Sequence, residues 1–318
     1  MIKTFKNPLL PAPHPDPWVI YEAPWYWYCG SRDNRIYLLR AKGLQDLAQA
    51  DPIWVWTAPS EGMNSQHLWA PELHHLDGRW LIYYAADDGL NVNHRMYALE
   101  SGSPLGPYVD RGRVVTADDH WAIDGTVLSH PHGTRYFIWS GWEGRQNVKQ
   151  NLYIAPLDGH CPWRTTAPRV MISTPDQHWE QHGRPWVNEG PEVVVRDETL
   201  YLFYSASGSW TEDYCIGLLR CSVRDPVLDP RSWQKHSTPV FAKHPEARVF
   251  GVGHASLVQD HRRQWWIVYH AMEDRMAGWA GRSVRIQPFE WPDHALPQLG
   301  RPRPLEEPLA MTVEKSFE

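Results

Sequence analysis

The chain has 318 residues, 42% hydrophobic and 21% charged, with a formal net charge of -6 at neutral pH. That balance is ordinary for a globular protein with a substantial core, and the absence of any basic run able to neutralise a phosphate backbone argues against nucleic acid as a partner. The outlier is tryptophan, with 19 residues, a side chain that both fills sheet interfaces and stacks on flat apolar ligand faces.

Read from Met1, the opening Met1-Ile2-Lys3-Thr4-Phe5-Lys6-Asn7-Pro8 lacks the apolar stretch of a secretory signal, and no apolar run approaches membrane-spanning length. The expectation is a cytoplasmic protein without a membrane partner. Cys29, Cys161, Cys215 and Cys221 are scattered and form no C-x-x-C pair, so they read as reduced bystanders.

From there the chain repeats a simple pattern. The block His14-Pro15-Asp16-Pro17-Trp18 precedes an aromatic strand at 25–29 and another strand at 35–39, and residues 44–50 suit one short helical turn. Trp69-Ala70-Pro71-Glu72-Leu73 leads through Leu76-Asp77-Gly78-Arg79 into strands at 81–85 and 94–99. Ile123-Asp124-Gly125-Thr126 leads through Pro131-His132-Gly133-Thr134 into strands at 136–140 and 151–155. Asn188-Glu189-Gly190-Pro191 precedes strands at 201–205 and 216–220, and Gly253-His254-Ala255-Ser256 precedes strands at 266–270 and 282–286. Polar and Gly-containing turns between strand patterns are hairpin chemistry, so each unit reads as a β-meander. Five such units predict an all-β fold, a five-bladed β-propeller formed by residues 1–318 as a single catalytic domain.

Counting back 12 residues from the first residue of the last four aromatic strands lands on Trp69, Asp124, Glu189 and His254, while Asp16 lies nine before the first. Innermost strands that start near the propeller axis would turn these positions into one central depression. Three of them are acids. Cleaving a glycosidic bond with inversion requires one carboxylate to activate water and one protonated carboxylic acid to donate to the leaving oxygen. A like charge nearby helps to keep that acid protonated. Asp-Pro and Asp-Gly also serve simply as turns before strands, but three acids in matching units favour the chemical reading. Asp87-Asp88-Gly89 and Asp118-Asp119-His120 read as solvated turns. A G-x-S-x-G elbow, a phosphate-binding Gly-rich loop and an HExxH motif are all absent from the sequence.

In order and spacing these blocks resemble glycoside hydrolase family 43, five-bladed propeller enzymes acting on arabinose- and xylose-containing polysaccharides. The resemblance runs from Asn7-Pro8-Leu9-Leu10 through the five blocks to Arg282-Ser283-Val284-Arg285-Ile286-Gln287-Pro288-Phe289-Glu290-Trp291. It implies that Asp16 is the general base, Glu189 the general acid, and Asp124 the residue that orients the acid and raises its pKa. It also implies that Arg282 reaches sugar hydroxyls or the acid, and that His254 lies on the axis where the family places a metal ion or its water. A lone histidine is a poor calcium site, so structural calcium near His254 is compatible with the sequence but no cofactor is required. Trp69 is expected as an apolar wall against a sugar face, with His14 and Trp18 as further substrate-binding residues at the rim. Glu72 suits either the rim or a buried acceptor, and Arg285 falls on the strand face opposite Arg282.

The expected function is an inverting exo-glycosidase that releases terminal α-L-arabinofuranosyl residues from arabino-oligosaccharides or arabinoxylan fragments. Exo action follows from the cytoplasmic expectation, since short imported oligosaccharides suit a pocket. The alternatives are a β-D-xylosidase, an endo-arabinanase, and a non-catalytic sugar-binding propeller, which would gain nothing from three mutually repelling acids.

Overall fold

The structure, a computed structural model, describes residues 3–260 and 262–311; residues 1, 2, 261 and 312–318 of the expected propeller span lie outside the described residues. Five antiparallel meanders follow one another. Blade 1 is Trp18–Glu22, Trp25–Arg32, Arg35–Ala41 and Ile53–Thr57. Blade 2 is Gln66–Leu76, Arg79–Asp87, Arg95–Ser101 and Val109–Arg113. Blade 3 is Ala122–Ser129, Arg135–Trp142, Lys149–Pro156 and Val170–Ser173. Blade 4 is Trp186–Arg196, Thr199–Ala206, Cys215–Ser222 and the short Gln234–Lys235. Blade 5 is Phe250–Gln259, Trp265–Met272 and Ser283–Phe289. The helical turn expected at 44–50 is a 3-10 turn, Leu44–Gln49.

The meanders form because tight two-residue turns carry the sharp reversals. Asp33-Asn34 and Asp77-Gly78 both hold positive φ at each position, the left-handed pair that matches strand twist and that Asp, Asn and Gly tolerate. What makes the blades a ring is the side chains between them. Five apolar clusters fill five blade interfaces. One joins Trp27 and Ile36 of blade 1 to Leu73 and Ile82 of blade 2, and three more join the successive pairs. The fifth closes the circle by packing Val268 and Ile286 of blade 5 against Val19 and Tyr28 of blade 1.

The missing outer strand of blade 5 comes from the start of the chain. The Leu9 N–H donates to the Val284 carbonyl at 2.7 Å, and the Val284 N–H donates to the Leu10 carbonyl at 3.0 Å. Asn7 extends this pairing with its side chain, donating to the Ile286 carbonyl at 2.8 Å and accepting from the Ile286 N–H at 2.9 Å. Further out, Lys3–Phe5 pairs with Leu309–Met311, so the C-terminal stretch meets the N-terminal strand rather than blade 1 itself.

The innermost strands share one irregularity. In blades 2 to 5 the register slips by a residue between Trp69 and Glu72, Ile123 and Thr126, Glu189 and Glu192, and Gly253 and Ser256. The bulge places Ala70, Asp124, Gly190 and His254 in left-handed backbone, with φ between 41° and 54°. Bulges of this kind re-aim side chains next to functional sites. They also correct the sequence alignment: Asp124 and His254 occupy the bulge position, whereas Trp69 and Glu189 sit one residue before it.

Candidate active site

On the face where the innermost strands begin lies a pocket of about 900 Å³. Asp16, Asp124, Glu189, Trp69, His254 and Arg282 all line it, so residues from every blade converge there. The structure therefore brings together six of the eight expected site residues.

Asp16 sits just before blade 1 with φ 52°, a conformation that costs a non-glycine residue about 1–3 kcal/mol and that clusters at functional sites. Its surroundings hold it in place. The Asp16 N–H donates to His270 Nδ1 at 3.1 Å, and Arg282 Nη1 donates to Asp16 Oδ1 at 3.0 Å. His254 Nδ1 and His270 Nδ1 each lie 3.4 Å from the same oxygen. Burial favours the neutral acid, but Arg282 and the two histidines outweigh it and hold the carboxyl well below the usual carboxylate range. Asp16 is a carboxylate across the ordinary pH range.

Glu189 is the opposite case. It is buried, and burial pushes its carboxyl up to about 7; the Asp16 charge adds to this, while the hydroxyls of Tyr214 and Ser209 and the Arg282 cation oppose it. Tyr214 donates to Glu189 Oε1 at 2.9 Å. Asp124, also buried, is raised by burial first and by repulsion from Glu189 and Asp16 second, and its Oδ2 accepts the Gly190 N–H at 3.0 Å. Both carboxyls are thus shifted toward their protonated forms, and the lift on Glu189 comes mainly from desolvation rather than from Asp124. Asp124 fixes the backbone that follows Glu189.

His254 stands between the acids, with Nδ1 3.4 Å from Asp16 and 3.8 Å from Asp124 and its N–H donating to Ser205 Oγ at 2.7 Å. Calcium needs a shell of about six to eight oxygen ligands. Here Asp16 already pairs with Arg282, and among the described residues no group of three or more His, Cys, Asp or Glu is arranged to hold a metal ion. The residues present do not fit calcium at His254.

Trp69 is 37% exposed and stacks on His94 with ring centroids 3.9 Å apart. Beneath it Asp87, fully buried, lies 2.9 Å from both His67 Nδ1 and His94 Nδ1. The motif read as a solvated turn is therefore a support for one wall of the pocket, and His67 itself lines that wall.

Two expected rim residues are elsewhere. Trp18 is only 7% exposed, its indole N–H donates to the Leu73 carbonyl at 2.9 Å, and it packs in the cluster between blades 1 and 2. As the first residue of a strand, it turns its ring sideways into the neighbouring blade rather than into the pocket. His14 lies outside the pocket lining; its ring Nδ1 is held by the Pro11 carbonyl, and its N–H donates to the Arg282 carbonyl at 2.8 Å. Glu72 is a buried acceptor against His74 Nε2 at 2.9 Å, not a rim group. Arg285 is fully buried with Nε donating to Ser283 Oγ at 3.2 Å, while Arg282 faces the pocket.

Sequence reasoning missed Tyr214, His270 and Ser209. Tyr214 stacks on His270 at 5.5 Å and 10°, linking the group that holds Glu189 to one that holds Asp16. It passes over Gly253, where a Cβ would sit 2.2 Å from the tyrosine ring. That glycine was the one available signal.

Residues 5–296 match the model of "Glycosyl hydrolases family 43". The chain is 34% identical over 292 residues to "Alpha-L-arabinofuranosidase 43" of Humicola insolens, covering 88% of this chain and 60% of that protein. It is 33% identical over 312 residues to "Extracellular exo-alpha-(1->5)-L-arabinofuranosidase" of Streptomyces avermitilis, covering 94% and 64%. The chain thus spans about three fifths of the length of these relatives. Among solved structures it superposes on an alpha-L-arabinofuranosidase from Lactobacillus brevis with a TM-score of 0.87 and 32% identity, covering 95% of this chain and 98% of that one. The extracellular naming of the Streptomyces relative overturns the cytoplasmic expectation. Among the described residues no helix is long and apolar enough to cross a membrane. Sequence motifs, bladed architecture and family match agree: the chain belongs to glycosyl hydrolases family 43.

Proposed function

We propose that the chain is an inverting exo-glycosidase that releases terminal α-L-arabinofuranosyl residues from arabino-oligosaccharides, with the propeller acting as one catalytic domain. The observation that carries this is a pair of acids with opposed protonation in one pocket: Asp16 held ionised by Arg282, and Glu189 held protonated up to about 7 by burial. Environments that push two carboxyl groups apart assign the base and the acid.

In this reading Asp16 takes a proton from a water as the water oxygen attacks the anomeric carbon. Glu189 gives its proton to the glycosidic oxygen as the carbon–oxygen bond breaks. The sugar product leaves with inverted configuration, and solvent exchange returns the two carboxyls to their starting states. Asp124 holds the Gly190 backbone behind Glu189, Arg282 secures Asp16, and Trp69 offers its exposed face to the sugar. Arabinose is favoured over xylose by the arabinofuranosidase names of the relatives at 33–34% identity, and exo action is favoured by the exo naming of the Streptomyces relative.

The test is hydrolysis of p-nitrophenyl α-L-arabinofuranoside and p-nitrophenyl β-D-xyloside side by side, with the first-formed anomer followed by proton NMR. Faster arabinoside cleavage yielding β-arabinofuranose first supports the reading. A retained anomer, or xyloside cleavage alone, overturns it.

A further inference from the structure

The proposed reading leaves open what receives the leaving group. In this reading Glu189 donates the proton, so the departing sugar must lie on the blade 4 side of the pocket, and the water activated by Asp16 must lie on the blade 1 side. The two sides are walled differently. Beside blade 1 the rim is the tight, polar Asp33-Asn34 turn. Beside blade 4 stand Ser209 and Trp210, from the connection between the second and third strands, and Trp279, from the 3-10 turn Gly278–Gly281 that precedes Arg282.

Trp279 is tied to both ends of the chemistry. Its indole N–H donates to Ser209 Oγ at 3.1 Å, and the Ser209 hydroxyl in turn favours the ionised form of Glu189. Its carbonyl accepts from Arg282 Nε at 3.2 Å, and the same guanidinium bonds Asp16. Trp210 packs edge-on against it, with centroids 5.9 Å apart and planes at 79°. An ion pair between Arg275 and Glu212 latches the two connections together. Despite these ties the ring is 58% exposed at the pocket mouth and belongs to no core cluster. A large indole that is held in place yet left open offers a flat apolar face to a ligand.

We propose that Trp279 is the platform on which the sugar ring of the leaving group stacks, which makes it a specificity-determining residue for oligosaccharide over simple substrates. This rests on the glycosidase reading above. Binding energy gathered from that remote ring is used in the transition state at the scissile bond.

The test compares arabinotriose with α-L-arabinofuranosyl fluoride, which has no leaving sugar, on the wild-type protein, Trp279→Ala and Trp279→Phe. Trp279→Ala is expected to lower kcat/KM on arabinotriose roughly 10- to 100-fold more than on the fluoride. Trp279→Phe, which keeps a stacking face but loses the N–H to Ser209, is expected to recover most of that difference. Equal losses on both substrates, or no loss on arabinotriose, overturn the platform. Failure of Phe to recover activity also overturns it, since the role would then lie in the Ser209 bond. A wild-type protein inactive on both substrates overturns the glycosidase reading itself, and the platform with it.

Discussion

The Tyr214 hydroxyl donates to Glu189 Oε1 at 2.9 Å, so the proposed acid is itself held by a donor that favours its ionised form. Burial and tyrosine oppose each other, and the carboxyl settles near 7.

Tyr214→Phe is therefore expected to raise the Glu189 pKa. A hydrogen bond to a charged group contributes about 1.5–3 kcal/mol, and one pH unit corresponds to about 1.4 kcal/mol, so the rise is roughly one to two units. Because the acid works protonated, activity is lost as pH climbs through its pKa. The alkaline limb of kcat/KM should move to higher pH in the variant, and an unmoved or lowered limb would count against Glu189 as the acid. The acid limb, set by the depressed Asp16, should stay where it is.

Asp16 and Glu189 should respond differently to the leaving group. Each substitution, Asp16→Asn and Glu189→Gln, is expected to lower kcat on an oligosaccharide by about 10²–10⁴. A dinitrophenyl arabinoside leaves without protonation and should recover much of the loss in Glu189→Gln. It should recover little in Asp16→Asn, where water activation is still missing. The reverse pattern would exchange the two roles.

Gly190 has φ 53°, and a Cβ there would lie 3.1 Å from His254 Nδ1. Gly190→Ala is expected to destabilise the fold by about 1–2 kcal/mol, as read by thermal or denaturant unfolding. It should also lower activity by pushing His254 away from Asp16 and Asp124. Unchanged activity would show that His254 tolerates displacement.

Trp18 and Trp69 separate core from pocket. Trp18→Ala opens a cavity between blades 1 and 2 and is expected to cost about 3–5 kcal/mol. Trp69→Ala, at an exposed ring, should change unfolding little and raise KM for arabinosides. Equal stability losses in the two variants would contradict this division.

The acids were legible because each stands at the head of a repeated unit, where a period in the sequence becomes a circle in space. The one-residue offset of Trp69 and Glu189 was not, because a bulge shifts pairing without changing spacing. Trp18 misled for a related reason: a tryptophan two residues from Asp16 looks like a pocket wall, but strand alternation turns it into the neighbouring blade. Tyr214, Ser209 and Trp279 arise from connections that follow no repeat, and their roles depend on how blades 4 and 5 lean together. Asp87 looked solvated in a run of polar residues, yet His67 and His94 enclose it, a long-range arrangement that local composition does not encode.

The bond between Arg282 and Asp16 joins residues 266 positions apart, across the seam where Leu9 and Leu10 lie along Val284. During synthesis Asp16 emerges 266 residues before its cationic partner. A nascent or truncated chain holding four blades would carry all three acids but leave Asp16 without Arg282, with nothing to keep it ionised in a buried place. In the proposed reading, catalytic competence is thereby tied to completion of the circle, so that hydrolysis would report that the last seam has shut.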